Sequence, residues 1–517
     1  MTKLTDYTSY EDALRMFAPE RLWDLFDGDA ARLNIAHECI DRHADDPTRT
    51  AVWAAFADGH DERITFRAIA DSSSRFAHWL EGQGIGKDDR VAIMLEPSLP
   101  FYAALFGSLK RGAIAVPLFT LFGPDGVRLR INDCEPRLLL TNPEKAQEIG
   151  GAAGMPIVVA DDAFIRSLSR FSNDYAPRTS GSDMAIYQYT SGTTRELPEA
   201  VRHTHRAIVT VMVAALYGTG IRPGDRFFCP SSPAWGHGLW HGTLAPLALG
   251  VRTGTFSGRF DAGRLLRALR DSETTNLSAA ATHYRMMKNS GVASRYPVRF
   301  RKMSFTGEPI DTDSLTFAES HFGTVLCSMY GTTEVGVLLV NYPGAADFVV
   351  RPGSLGKPVP GMRVAVQAPD GTDCAPGDIG EIKVWRRGAW FATKDRGRID
   401  ADGYFWHAGR ADDVIISAGW TIGAAEVEDT LLQHPAVREA AVIGVPDAAR
   451  GQVVKAFVVT DQAPDEALVA ALQDFVRTRL SQHEYPRLVA FVTELPKTPA
   501  GKVNRKILRD REAASTV

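Results

Sequence analysis

Cysteine is scarce in this chain, and what there is lies scattered. Cys39, Cys134, Cys229, Cys327 and Cys374 include no C-x-x-C pair. That spacing excludes a disulfide framework and a zinc site, and it fits a reducing compartment. No run approaches the roughly 18–20 apolar residues a spanning helix needs. The opening MTKLTDYTSYEDALRMF lacks the apolar core of a signal peptide, so a cytoplasmic location is expected. A net charge of −4 supplies no field for nucleic acid or an anionic membrane. Short-period repeats, low-complexity tracts and coiled-coil heptads are missing, as is the G-x-x-x-x-G-K phosphate-loop pattern. What remains is ordinary globular composition, 44% hydrophobic and 23% charged, in a chain of 517 residues. That length exceeds one ordinary core, so two or more domains are expected.

Apolar runs alternate with amphipathic stretches. Residues 90–95 (RVAIML) read as a buried strand, 99–111 (LPFYAALFGSLKR) as a helix and 113–118 (AIAVPL) as the next strand. Strand, helix, strand in that order implies parallel pairing with a right-handed crossover. A second such unit is expected over 302–305, 312–321 and 324–329. Residues 201–217 read as helical. Asp402-Gly403 is a hairpin turn signal. After Arg410, short strands (414–416, 440–445, 455–459) alternate with helices (424–433, 466–480). The roughly hundred residues left there suffice for a compact α+β domain. The expected fold class is α/β: a large N-terminal domain (1–410) of parallel and mixed sheets with helices, and a small mobile α+β C-terminal domain (411–517). The boundary falls at 410–413.

Four motifs carry chemistry. Thr190-Ser191-Gly192-Thr193-Thr194 follows the apolar segment 185–189, and its hydroxyls and backbone N–H groups can wrap phosphate oxygens while the glycine permits close approach. Tyr330-Gly331-Thr332-Thr333-Glu334 follows a candidate strand, at the carboxyl end where open α/β sheets bind ligands. Gly409-Arg410-Ala411-Asp412-Asp413 stands at the expected boundary. Pro496-Lys497-Thr498-Pro499-Ala500-Gly501-Lys502-Val503-Asn504-Arg505 closes the series with a lysine in a Pro/Gly/Thr-rich loop.

In this order and at these separations the four motifs resemble the adenylate-forming superfamily of acyl-CoA synthetases, adenylation domains and luciferases. The segments 117–123, 281–288 and Gly307-Glu308-Pro309 make the resemblance strongest to the medium-chain and benzoate-type acyl-CoA synthetases. The resemblance implies activation of a carboxylic acid with ATP and Mg²⁺ to an acyl-adenylate, then transfer to coenzyme A. It implies that Tyr330 stacks on adenine beside Gly307, Glu308 and Pro309. Thr333 would hold the α-phosphate, Glu334 Mg²⁺, and Asp395 and Arg410 the ribose. Asp412 would be the pivot of the C-terminal domain, and Lys502 would bridge carboxylate and α-phosphate in the transition state. Gly419 and Trp420 would line the pantetheine tunnel, with plain interdomain packing the other reading of Trp420. Trp235, Gly236, His237 and Trp240 would form the acid pocket; His237 either meets the acid or is a satisfied structural histidine.

The chain departs from the family pattern at three places. Glu199 stands where a loop lysine is usual, Ala200 where a glycine is, and Lys394 replaces the glycine before Asp395. A carboxylate beside phosphates is repulsive unless a cation intervenes. Arg195 or Arg202 can supply that charge, and Arg195 is the expected replacement. The expected partners are a medium-chain, alicyclic or aromatic carboxylic acid, ATP and CoA, with a homodimer admitted. The alternatives are a stand-alone adenylating enzyme serving a carrier protein or small nucleophile, a non-catalytic nucleotide-binding relative, and a generic α/β nucleotide-binding protein.

Overall fold

A computed structural model describes residues 3–150, 154–189, 199–332, 335–410, 414–417, 420–447, 450–480, 484–498 and 501–515. The chain forms two compact units. The first comprises Met1–Thr306, Glu319–Met329 and Tyr342–Phe348; the second comprises Gly307–Ala318, Tyr330–Asn341 and Val349–Val517.

The first unit is built on two sheets. One runs Ile157–Val159, Leu138–Thr141, Arg90–Met94, Ile114–Pro117, Met184–Gln188 and Val201–Thr204. Its members are parallel except for the last pair. The other places Lys302–Thr306, Asn276–Ala280, Phe227–Phe228, Thr253–Phe256 and Thr50–Ala55 side by side, all parallel, with Asp61–Thr65 antiparallel at its edge. The strand Arg90–Met94 buries its last four residues, which is why it reads as a continuous apolar run rather than an alternation. The helix Leu99–Arg111 links it to Ile114–Pro117 as the parallel pairing demands, and Gly112 ends that helix at φ +76°. Asn34 stitches the unit further: its amide donates to Leu109 O at 2.7 Å and to the Thr179 hydroxyl at 3.0 Å.

One expected helix is corrected. Residues 201–204 form a strand, antiparallel to Met184–Gln188, and the helix begins only at Ala207. The β-branched Val201 and Thr204 suit the sheet edge, and His205 is buried, its Nδ1 accepting from Ile35 N at 3.1 Å. The apolar run from Ala207 onward supplied the helical signal, and it was extended too far back. The segment 190–198 is therefore followed by a strand, not a helix.

The second unit holds a four-stranded antiparallel sheet, Val364–Gln367, Gly380–Arg386, Ala389–Ile399 and Phe405–Arg410. The expected turn joins the last two strands, with Gly403 at φ +81° and its amide on Asp400 O at 3.0 Å. A five-stranded sheet follows: Trp420–Gly423, Val414–Ser417, Gly451–Val459 and Glu439–Asp447, with Leu488–Phe491 parallel to Gly451–Val459. Helices Ala424–Leu432 and Glu466–Arg479 cover it through Val427, Leu431, Leu472 and Val476. Asp429 of the first of these accepts from the backbone N–H and hydroxyl of Thr312, at 3.2 and 3.3 Å. Residues 411–413, where the domain boundary is expected, lie outside the described residues.

Candidate active site

The residues expected on the adenosine side belong to the second unit. Tyr330 donates its hydroxyl to Asp395 Oδ2 at 2.6 Å, so two residues singled out separately along the chain are in contact. Asp395 is buried, on the strand Ala389–Ile399, in register with Arg410. The Asp395 amide donates to the Thr393 hydroxyl at 3.2 Å, which donates to Ile382 O at 2.7 Å. His407 Nε2 approaches Asp395 Oδ1 at 3.7 Å. Between them Lys394, exposed, adopts φ +64°, a left-handed conformation that glycine takes without cost. The ladder shifts register directly after Asp395, so this backbone is a bulge that aims the carboxylate.

Gly331 is a glycine for a steric reason. A Cβ there would lie 2.1 Å from Gly336 O, because the returning strand Gly336–Val340 presses against it. The hydroxyl of Thr332 is buried with no partner among the described residues. Gly307 sits at φ +100°, exposed; Glu308 beside it is half-buried and Pro309 is exposed.

The C-terminal lysine sits on a tight hairpin. Lys497 and Val503 bridge antiparallel, Thr498 N donates to Lys502 O at 2.7 Å, and Gly501 turns the chain at φ +83°. Lys497 binds Glu439 at 2.7 Å, Arg505 grips Glu428 at 3.0 and 2.5 Å, and Lys506 meets Asp510 at 2.7 Å. The arms on either side are thereby anchored, with Lys502 on the returning one.

The aromatic cluster lies in the first unit. His237–Leu244 winds as a π-helix, a form that often marks functional sites. Gly238 is required there, since a Cβ would lie 2.1 Å from Ser232 O. His237 is buried, with Nδ1 hydrogen-bonded to Ser231 at 3.0 Å and Nε2 to Ser278 at 2.9 Å; Ser304 extends the chain to Ser278 at 2.9 Å. Its imidazole is thus clamped between two hydroxyls, as a structural histidine is. Trp240 donates its indole N–H to Gln188 Oε1 at 3.0 Å, and His203 packs on the Trp240 ring at 4.7 Å. Gly236 backs onto the same Gln188 amide, and Trp235 packs on His237 at 5.4 Å.

Two residues that sequence reasoning passed over join these clusters. Gln188, a lone polar residue in an apolar strand, keeps a buried amide Nε2 without a partner among the described residues, two residues before the segment expected to bind phosphate. His407 was findable as the third residue before Arg410 in an alternating strand.

Thr190, Ser191, Gly192, Thr193, Thr194, Arg195, Thr333, Glu334, Asp412 and Gly419 lie outside the described residues. Trp420 opens the strand Trp420–Gly423 and pairs with Ser417. Glu199 is exposed, while Ala200 is buried and its amide donates to Asp133 at 3.1 Å. Arg202 stacks on Tyr187 at 5.1 Å.

Residues 40–392 match the family model of the AMP-binding enzyme, and 426–502 that of the AMP-binding enzyme C-terminal domain. The chain belongs to this family. It is 30% identical to the acetyl-coenzyme A synthetase of Bacillus subtilis over 97% of this chain and 94% of that protein. Among solved structures, the anthranilate CoA ligase AuaEII in complex with anthranoyl-AMP superposes with a TM-score of 0.83 at 27% identity, covering 95% of this chain and 99% of that one. The benzoate CoA ligase of Burkholderia xenovorans LB400 gives 0.80 at 26%, covering 92% and 100%. The large domain of mixed sheets and helices with a small C-terminal domain is therefore the expected one, and the chain stands among AMP-forming acyl-CoA synthetases that use ATP and CoA. Among the described residues no helix is long and apolar enough to cross a membrane.

Proposed function

We propose that this acid–CoA ligase acts in the cytosol on a medium-chain, alicyclic or aromatic acid, in two steps taken by two orientations of the domain beyond residue 410. In the first, a carboxylate oxygen attacks the α-phosphorus, the α–β anhydride bond breaks and pyrophosphate leaves. In the second, the CoA thiolate attacks the acyl carbon, the bond to AMP breaks, and the thiol proton passes to solvent. The observation that carries this reading is the Tyr330–Asp395 hydrogen bond. It joins a flat ring for adenine to a carboxylate that can accept from both ribose hydroxyls.

Lys502, on the returning arm of its hairpin, is the residue assigned to the developing negative charge, since a pentavalent phosphorus needs a positioned cation. Among the described residues no group of three or more His, Cys, Asp or Glu is gathered as a metal site. A magnesium ion characteristically takes one or two carboxylates together with substrate phosphates. Glu334 suits that donor type, and the ion would supply charge neutralisation at the phosphates. Gln188, Trp240 and His203 form the polar-aromatic wall we assign to the acid. The relatives named for acetyl, anthranilate and benzoate groups span the size range such a wall must be tested against.

The test is AMP release from MgATP across a panel of carboxylic acids, with and without CoA. Release that needs both acid and CoA supports the assignment and names the substrate class. Release with acid alone, indifferent to CoA, gives the acyl group another acceptor. No release from any acid, with Glu199→Lys restoring none, would make the chain a nucleotide-binding relative. Lys502→Ala is expected to cut adenylate formation by about a hundredfold or more, in the range of lost transition-state donors; full activity in that variant removes Lys502 from the mechanism.

A further inference from the structure

A basic, aromatic hairpin tip lies on the surface of the second unit. The strands Gly380–Arg386 and Ala389–Ile399 meet through Arg387-Gly388, with Arg386 paired to Ala389. Arg387 at φ +51° and Gly388 at φ +81° make this a type I′ turn. Asparagine, aspartate or glycine usually takes the first of those places. Here it is an arginine, in a left-handed conformation that is unfavourable for a residue with a side chain. The residues around the turn read Trp385-Arg386-Arg387-Gly388-Ala389-Trp390-Phe391. None of them belongs to the adenylation or thioester machinery assigned above.

Aromatic surface is exposed on both faces of this tip. Trp385 and Trp390 pair across the two strands and so share one face, their rings edge-to-face at 5.4 Å. Arg363, which leads into the neighbouring strand Val364–Gln367, lies over both indoles, 5.5 Å from the Trp385 ring and 5.0 Å from that of Trp390. Phe391 pairs with Val384 and so belongs to the opposite face. Trp385 is 40% exposed and Phe391 37%, and Arg386 and Arg387 are exposed between them. A Cβ on Gly388 would meet nothing within 4 Å, so the turn is open. The charge of these segments is of one sign: neither 352–369 nor 382–394 contains an aspartate or glutamate. The flanking carboxylates are engaged, Glu381 with Lys383 at 3.9 Å and Asp395, buried, with Tyr330 at 2.6 Å. The whole chain carries −4, so the tip is a local reversal of that sign.

We infer that this tip docks the protein reversibly on the headgroup layer of an anionic lipid bilayer, without crossing it. Tryptophan settles at a membrane–water interface because its indole has a flat apolar body and a polar N–H. Arginine beside it keeps its stem on apolar surface and offers its guanidinium to lipid phosphate. Aromatic residues on both faces suit insertion as a wedge between headgroups, whereas a protein partner docked on one face would leave the other wet. Arg363, Arg386 and Arg387, with no carboxylate in their segments, favour a negatively charged surface, by about fivefold for each cation near such a membrane. The inference concerns where the enzyme works and does not depend on which acid it activates.

The test is co-sedimentation of the full chain with vesicles of phosphatidylcholine alone, and of phosphatidylcholine with phosphatidylserine in a two-to-one ratio, at low and at high salt. The expected result is binding to the serine-containing vesicles that weakens in neutral vesicles and in salt. Arg387→Gly removes one charge and places glycine where the backbone is left-handed, so a well-folded variant with about fivefold weaker binding is expected. Trp385→Ser combined with Phe391→Ser should weaken binding by about tenfold or more, through lost apolar contact. Brominated lipid should quench tryptophan fluorescence in the wild type and less in that double variant. If circular dichroism shows the double variant misfolded, Arg387→Gly decides the matter. No binding to either vesicle, equal binding of wild type and Arg387→Gly, or indifference to phosphatidylserine overturns the inference. So does self-association of the chain that the tip variants abolish while vesicles bind nothing, which would make the tip a contact between copies.

Discussion

Lys394 shows how one residue can break a family pattern while keeping its geometry. The backbone beside Asp395 must pass through φ +64° to aim the carboxylate, and a side chain there costs about 1–2 kcal/mol. Lys394→Gly is therefore expected to stabilise the protein by about 1 kcal/mol, read as a higher urea midpoint, with the Km for ATP unchanged. A lower midpoint would mean the lysine makes a compensating contact. Asp395 itself is the sharper probe. Asp395→Asn keeps the shape but removes the charge from hydrogen bonds of the kind each worth about 1.5–3 kcal/mol. The Km for ATP should rise by about tenfold or more while the protein melts normally; a collapse of stability with Km unchanged would make Asp395 a structural partner of Tyr330 only. At this scale the candidate nucleotide residues stand out in the sequence because each has a distinctive type at a distinctive place. The Tyr330–Asp395 contact itself does not, since 65 residues separate the two.

At the scale of elements, the first unit depends on helices that nearly touch. Gly107 lets Leu99–Arg111 lie against Phe66–Gly82: a Cβ there would sit 2.7 Å from Ser73 O and 2.9 Å from Phe76. Gly107→Ala must push the helices apart and is expected to cost about 1–3 kcal/mol, measured as a fall in the urea midpoint. A neutral result would show that the pair slides freely. Lys110, one turn on, is buried yet bound to Asp41 at 2.7 Å, Ser74 at 2.9 Å and Ala70 O at 3.0 Å. Periodicity located Leu99–Arg111, because its apolar face is dense; Phe66–Gly82 was not among the helices read from the sequence. It could not separate strand from helix at 201–217, because an edge strand of four residues carries too little pattern.

Over the whole molecule, charge burial sets the response to acid. His43, His203, His205, His241 and His283 all belong to the first unit, and burial holds each imidazole down to about 4, against 6.5 for a free one. Between those values the unfolded chain binds more protons than the folded one, so stability falls as pH drops from about 6.5 toward 4. Glu426 and Asp429 in the second unit have the opposite sign, because burial raises their pKa values and favours the folded state in acid. Urea midpoints should decline from pH 7 to pH 5, with loss of structure beginning in the first unit. A midpoint that rises on acidification would mean these rings gain partners when charged.

The sequence by itself determined the chemistry and the order of its parts. Residue types such as Tyr330, Asp395 and Lys502, and the alternation of buried runs with amphipathic helices, are local properties that a chain displays before it folds. The tertiary structure decided what no spacing encodes. It brought Tyr330 onto Asp395, clamped His237 between Ser231 and Ser278, and demanded a left-handed Lys394. These are consequences of which strands lie side by side. Strand order is settled by non-local burial, whose energy belongs to the assembled core and not to any segment of it.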